Sequence, residues 1–160
     1  MRRATSLLCL LLLYAVPALA RAQSSGSSRV TARLLPSISV TGTQDLDFGT
    51  IASTQVITVQ ARNGGRFTIQ GNSNTPVLIE FTSLPAALGL NLGLSAWTGL
   101  ANTSPGNGGA TAFVPVSGGT RSATLANNGR YFLWFGATLT ATNAAPGTYT
   151  VPVIVTVVYN

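Results

Sequence analysis

Over the last twelve residues of the chain six large side chains fall on one parity: Tyr149, Val151, Val153, Val155, Val157 and Tyr159. Successive side chains of an extended backbone point to opposite faces, so residues 149–160 predict a β-strand with one apolar face. Thr150, Pro152 and Thr156 suit a wetter or edge-facing side, whereas Ile154 and Val158 do not. A long, apolar, β-branched strand at the end of a chain is an aggregation liability unless something pairs with it. The pattern therefore poses a question about which partner covers this strand.

The same alternation recurs upstream. Val30, Ala32, Leu34, Ile38 and Val40 share one parity, with Pro36 among them. Proline has no N–H for a ladder, so Pro36 marks an edge strand or a break. Residues 45–49 read as a turn and the start of a strand. Residues 54–60 and 66–70 read as strands around Asn63, Gly64 and Gly65, the pattern of a hairpin. In residues 75–82, Val77, Ile79 and Phe81 lie on one side and Glu80 on the other. Leu88, Leu90, Leu92 and Leu94 alternate with small residues, which suits a strand or an extended loop, and Gly89 and Gly93 weigh against a helix.

Further along, residues 102–109 form a loop, and residues 111–116 and 120–125 are short strands. Asn127, Asn128 and Gly129 make a turn. Residues 130–141 form a strong strand, with Tyr131, Leu133, Phe135, Ala137 and Leu139 on one face. Phe132 and Trp134 point the other way, so either the second face is covered or Trp134 makes an exposed contact. Pro146 and Gly147 turn the chain into the terminal strand. No stretch keeps a helical period and no internal repeat is visible. Short strands separated by Gly, Asn and Pro turns predict an all-β antiparallel sandwich over residues 36–160.

The first residues follow a different logic. Arg2 and Arg3 precede an apolar run over residues 7–16, and Pro17 and small residues lead to Ala20 and Ala22. The run is too short to span a bilayer as a helix. Residues 1–22 therefore read as a secretory signal peptide, with cleavage after Ala20 or Ala22 and no membrane anchor afterwards. Export through the general secretory route is expected, with transit through a periplasm to the cell surface or beyond. Residues 23–28 are rich in Ser and Gly, and residues 23–35 read as a flexible extension.

Removing the leader changes the chemistry on offer. About 138 residues remain, enough to bury a single core. The only cysteine, Cys9, is lost, and the chain has neither lysine nor histidine, since all nine basic residues are arginine. Six arginines (Arg29, Arg33, Arg62, Arg66, Arg121, Arg130) then face Asp45, Asp47 and Glu80, a balance of about +3. The arginines are dispersed rather than clustered, so nucleic acid is not an expected partner.

An enzyme is not expected either, because general acid–base work usually needs histidine or two closely held carboxylates. A serine nucleophile would lack a conventional base, and zinc and copper sites lack their preferred ligands. Asp45 and Asp47 could join backbone carbonyls around calcium, or Asp45 could cap a turn beside an exposed Asp47. No cofactor is expected. Trp97 either packs in the core or lines a sugar-binding groove with the loop at 102–109.

The residues also carry a resemblance. The terminal strand resembles the C-terminal motif of chaperone–usher pilins: alternating hydrophobic residues, Tyr159 at the penultimate position, and Gly147 fourteenth from the end. Leu46, Asp47, Phe48 and Gly49, followed much later by Gly147, Thr148, Tyr149 and the valine-rich run, are similar to the spore-coat-U-like domain and to a pilin-like family of secreted bacterial proteins. The resemblance implies an immunoglobulin-like sandwich lacking its last strand. Residues 149–159 would border the groove that results, and a donor strand carrying Val30, Ala32 and Leu34 would fill it. It further implies a structural subunit of a fimbria, pilus or coat, with other copies of itself or related subunits, a periplasmic chaperone and an outer-membrane usher as partners. The alternative expectation is a secreted adhesin or carbohydrate-binding module using Trp97. Pilins of this kind often carry a disulfide in their first strands, which this chain lacks.

Overall fold

The computed structural model describes Arg29, Thr31, Leu34 and residues 37–160. The predicted signal peptide, and Val30 and Ala32 of the predicted donor strand, lie outside the described residues. Arg29 and Thr31 belong to an N-terminal unit and are exposed; the strands all belong to the unit that begins at Leu34.

Ten strands follow in order: β1 (Ser39–Gln44), β2 (Val56–Val59), β3 (Gly65–Gln70), β4 (Pro76–Ser83), β5 (Ala87–Gly89), β6 (Leu92–Asn102), β7 (Thr111–Phe113), β8 (Thr120–Thr124), β9 (Arg130–Ala141) and β10 (Ile154–Tyr159). A single 3-10 turn spans Ala61–Asn63, and no α-helix occurs among the described residues. Every pairing is antiparallel. The larger sheet has seven strands, with the path β1-β3-β9-β6-β5, and with β2 on β9 and β7 on β6. The smaller sheet has three strands, in the order β10-β4-β8.

The expected 54–70 hairpin is not formed. β2 and β3 lie end to end along the same side of β9, β2 against Thr140–Ala137 and β3 against Phe135–Arg130. The 3-10 turn and Gly64 offset the two strands instead of folding one onto the other, because β9 is twelve residues long and can pair with both. Gly136 sits at the changeover, where the carbonyl of Val59 and the N–H of Ala61 come so close that a Cβ would collide with both.

β9 is buried on both faces. On the inner face Tyr131 and Leu133 meet Ile69 of β3 and Val77, Ile79 and Phe81 of β4, with Leu125 and Val157. On the outer face Phe132 and Trp134 stack with ring centroids 6.1 Å apart and are covered by Ala61, Leu100 and Ala110. Trp134 is only 4% exposed, so the second face is covered rather than presented to a partner.

Ile38 and Val40 pack against the main core, and Leu34, four residues before Ile38, is 89% exposed. The apolar parity upstream of β1 therefore divides: its later members serve this chain's own sandwich and Leu34 does not.

Candidate functional site

The smaller sheet covers only part of the larger one. One core lies between the two sheets, drawing Val77, Ile79, Phe81 and Val157 from the smaller. A second core, Leu92 and Leu94 of β6 with Ala137, Leu139 and Ala141 of β9, receives no side chain from β4, β8 or β10. Two non-strand segments shield it instead. Leu46, Phe48 and Ile51 pack on it from one side, and Ala144, Tyr149 and Val151 from the other.

Between these segments runs an open cleft of about 1160 Å³. Its walls are residues 44–53 and 144–153, and its floor includes Leu88, Leu94, Phe135 and Trp97. The floor is aromatic at its centre: the Phe67 and Phe135 rings are stacked 5.2 Å apart, and Trp97 is tilted against Phe135 at 6.4 Å. Phe135 takes this place because its ring lies directly over Gly65, where a Cβ would occupy ring space. Trp97 reaches the cleft through a break in the β6–β9 register between Ser95 and Thr98, with Ala96 in the left-handed region at φ 48°. Such a break re-aims the side chains beside it.

The predicted terminal strand is present in parity and shortened in pairing. All of Tyr149, Val151, Val153, Val155, Val157 and Tyr159 are buried or half-buried, and Thr150, Pro152, Ile154, Thr156 and Val158 are exposed. Ladder pairing begins only at Ile154, against Ser83, and shifts register before Val155 meets Phe81. Pro152 cannot donate to a ladder, and residues 149–153 form the cleft wall as extended chain outside any strand. Gly147 lies at the lip of the wall, with the Tyr149 ring 3.5 Å from where its Cβ would be. The Tyr149 hydroxyl donates to the Ala145 carbonyl at 2.9 Å, folding the ring over the turn.

Both walls carry unused backbone. Among the described residues, no backbone–backbone hydrogen bond involves residues 46–50 or 145–152. β10 pairs with β4 on one side, and no described strand pairs with its other side. An unpaired extended segment beside an apolar floor is a template for strand addition.

The remaining candidates separate. The loop that the sequence grouped with Trp97 is tied elsewhere: Asn107 Nδ2 donates to the Arg62 carbonyl at 3.0 Å, and Asn102 Nδ2 donates to the carbonyls of Gly106 and Gly108. Asp45 and Asp47 lie on the cleft wall. It is Asp47, not Asp45, that caps the local turn, accepting the Gly49 N–H at 2.7 Å. No group of three or more His, Cys, Asp or Glu side chains suited to a metal occurs among the described residues. The cleft itself has no single-residue sequence signal: it arises where β4 and β10 are too short to cover β6 and β9.

No helix among the described residues is long and apolar enough to cross a membrane. Comparison with known proteins gives no match, whether to a family model, a curated protein or a solved structure.

Proposed function

We propose that this chain is an exported structural subunit of a surface appendage or coat, assembled when the cleft of one copy accepts an extended strand from another. The observation that carries this reading is the cleft itself, bounded by two walls with unpaired backbone and floored by apolar side chains. Its volume exceeds the roughly 300–1,000 Å³ of ordinary small-molecule pockets and suits a run of extended chain. The donor is residues 28–35, where Val30, Ala32 and Leu34 alternate; the exposure of Leu34 supports its having a partner outside its own sandwich. Val30 and Leu34 would each contribute about 1.5–3 kcal/mol on full burial. Ordering each residue of the strand costs about 1–2 kcal/mol, so ladder hydrogen bonds to the walls must supply the rest.

A periplasmic chaperone strand would hold the same cleft before assembly, and an usher would exchange it for the donor. A carbohydrate-binding role is the rival reading, supported by Trp97 in the cleft floor.

Size-exclusion chromatography with light scattering on residues 23–160, with and without residues 23–35, tests the proposal. The longer chain is expected to form polymers and the shorter one a monomer. A monodisperse monomer in both cases overturns it.

A further inference from the structure

We propose that Asp45 and Asp47 are one half of an ionic clamp whose other half is Arg29 and Arg33 of a neighbouring copy, and that this clamp sets the register of the incoming strand and the pace of assembly. The inference rests on the strand-complementation reading above and adds to it a second, charged determinant.

The whole chain has three side-chain carboxylates, and two of them line the cleft. Residues 45–48 alternate: Leu46 and Phe48 are half-buried against the floor, and Asp45 and Asp47 are exposed at the rim. Asp47 commits one oxygen, Oδ1, to the Gly49 N–H and keeps the other for a partner. The proposed donor has the matching alternation. Val30, Ala32 and Leu34 occupy one parity and Arg29 and Arg33 the other, with Thr31 between them. Turning the apolar parity into the cleft returns both arginines to the rim, at the side where the aspartates stand.

The spacing fits in either strand direction. A register with Thr31 opposite Asp47 sets one arginine opposite Asp45; the other falls beside Gly49, where the chain turns at φ 67° and regular ladder spacing ends, so its reach to Asp47 depends on the length of the arginine side chain. Directly opposed residues lie about 4.5–5.5 Å apart and diagonal ones about 7–8 Å, within reach of an arginine side chain. A slip by one residue would turn both guanidinium groups onto Phe135, Trp97 and Leu94, an uncompensated burial of charge. The clamp therefore accepts the productive register and rejects its neighbour. It also attracts the donor over a distance, an effect that raises association rates by about 10–10³-fold and weakens steeply with salt.

The test uses two charge-reversed forms of residues 23–160: one carrying Asp45→Arg and Asp47→Arg, the other carrying Arg29→Asp and Arg33→Asp. Circular dichroism should show the β spectrum of the parent in both. Assembly is followed by light scattering at about 0.05 M and 0.5 M salt. Each form alone is expected to assemble at least about 10-fold more slowly than the parent, and the parent is expected to slow as salt rises. An equimolar mixture is expected to recover, because each donor then meets a receiver of opposite charge.

Parent-like assembly of either form alone overturns the clamp, and so does failure of the mixture while both forms stay folded. The parent reading is separable: if deleting residues 23–35 leaves assembly unchanged, strand complementation itself fails. If that deletion abolishes assembly while charge reversal has no effect, only the clamp fails.

Discussion

The N–H of Asn72 donates to the hydroxyl of Tyr159 at 2.8 Å, fastening the far end of β10 to the loop after β3. Gly71 makes room for this: a Cβ there would stand 2.6 Å from the Tyr159 hydroxyl and 3.3 Å from Ile38. The start of β1 and the end of β10 thus meet at one end of the sandwich. The cleft opens where the same two stretches continue, past Gln44 and before Ile154. Tyr159 is therefore a mooring point for the strand that continues from the cleft wall.

Tyr159→Phe keeps the ring and removes the acceptor. The Asn72 N–H is part-buried, so the loss should be about 1–2 kcal/mol, between the net worth of a hydrogen bond and the cost of a buried orphan donor. Urea unfolding of a chain lacking residues 23–35 reads this without interference from assembly. An unchanged midpoint would mean that the hydroxyl holds nothing.

Gly136→Ala should be among the most damaging single substitutions. Its Cβ would meet backbone on both sides, Val59 and Ala61, and backbone cannot yield as a flexible side chain can. A loss of about 3 kcal/mol or more is expected, or failure to accumulate as folded protein, since β2 and β3 both depend on this changeover along β9. Thermal melts that match the parent would contradict the end-to-end arrangement.

Arg121 points inward on β8, opposite Ile79, with its guanidinium 4.8 Å from the Phe113 centroid. Its Nε is buried with no hydrogen-bond partner. The cation–π contact is worth about 0.5–1 kcal/mol and an unsatisfied buried donor costs about 1–3. Arg121→Met should therefore leave stability unchanged or raise it by about 1 kcal/mol. An inward charge also protects a sheet edge from unwanted pairing, so the variant should show more lateral aggregation in light scattering.

Trp97→Ala separates the two readings of the cleft. With strand complementation, removing part of the aromatic floor should slow assembly and cost about 1–3 kcal/mol, because Trp97 is half-buried on a packed cluster. A glycan-binding module would instead lose binding to a glycan array with assembly untouched.

The sequence made some of this legible for physical reasons that can be named. The parity of residues 149–159 held over its whole length, because one buried face fixes register in steps of two. The long strand β9 matched its expected range for the same reason. The expected hairpin at 54–70 is absent because Asn63, Gly64 and Gly65 only resemble a two-strand turn, whereas a 3-10 turn and a distant Gly136 send both strands to β9. Nothing local announces that partner. The sequence does not decide what covers Phe132 and Trp134, because their cover, Ala61, Leu100 and Ala110, comes from three separate stretches. The resemblance implies a groove along residues 149–159, whereas the cleft is lined on that side by residues 144–153 and not by Val155, Val157 or Tyr159, and its other wall at 44–53 follows only from how far the two sheets overlap.

Amide hydrogen exchange along the two walls tests the central claim most directly. Residues 46–48, 50 and 147–151 should exchange rapidly in monomer lacking residues 23–35, since their N–H groups have no backbone partner among the described residues, whereas the Gly49 N–H is held by Asp47 Oδ1. In the assembled chain of residues 23–160, part of each wall should be protected by at least about 100-fold, as donors enter a ladder. Equal exchange in polymer and monomer would contradict the account, because no strand would then have joined either wall.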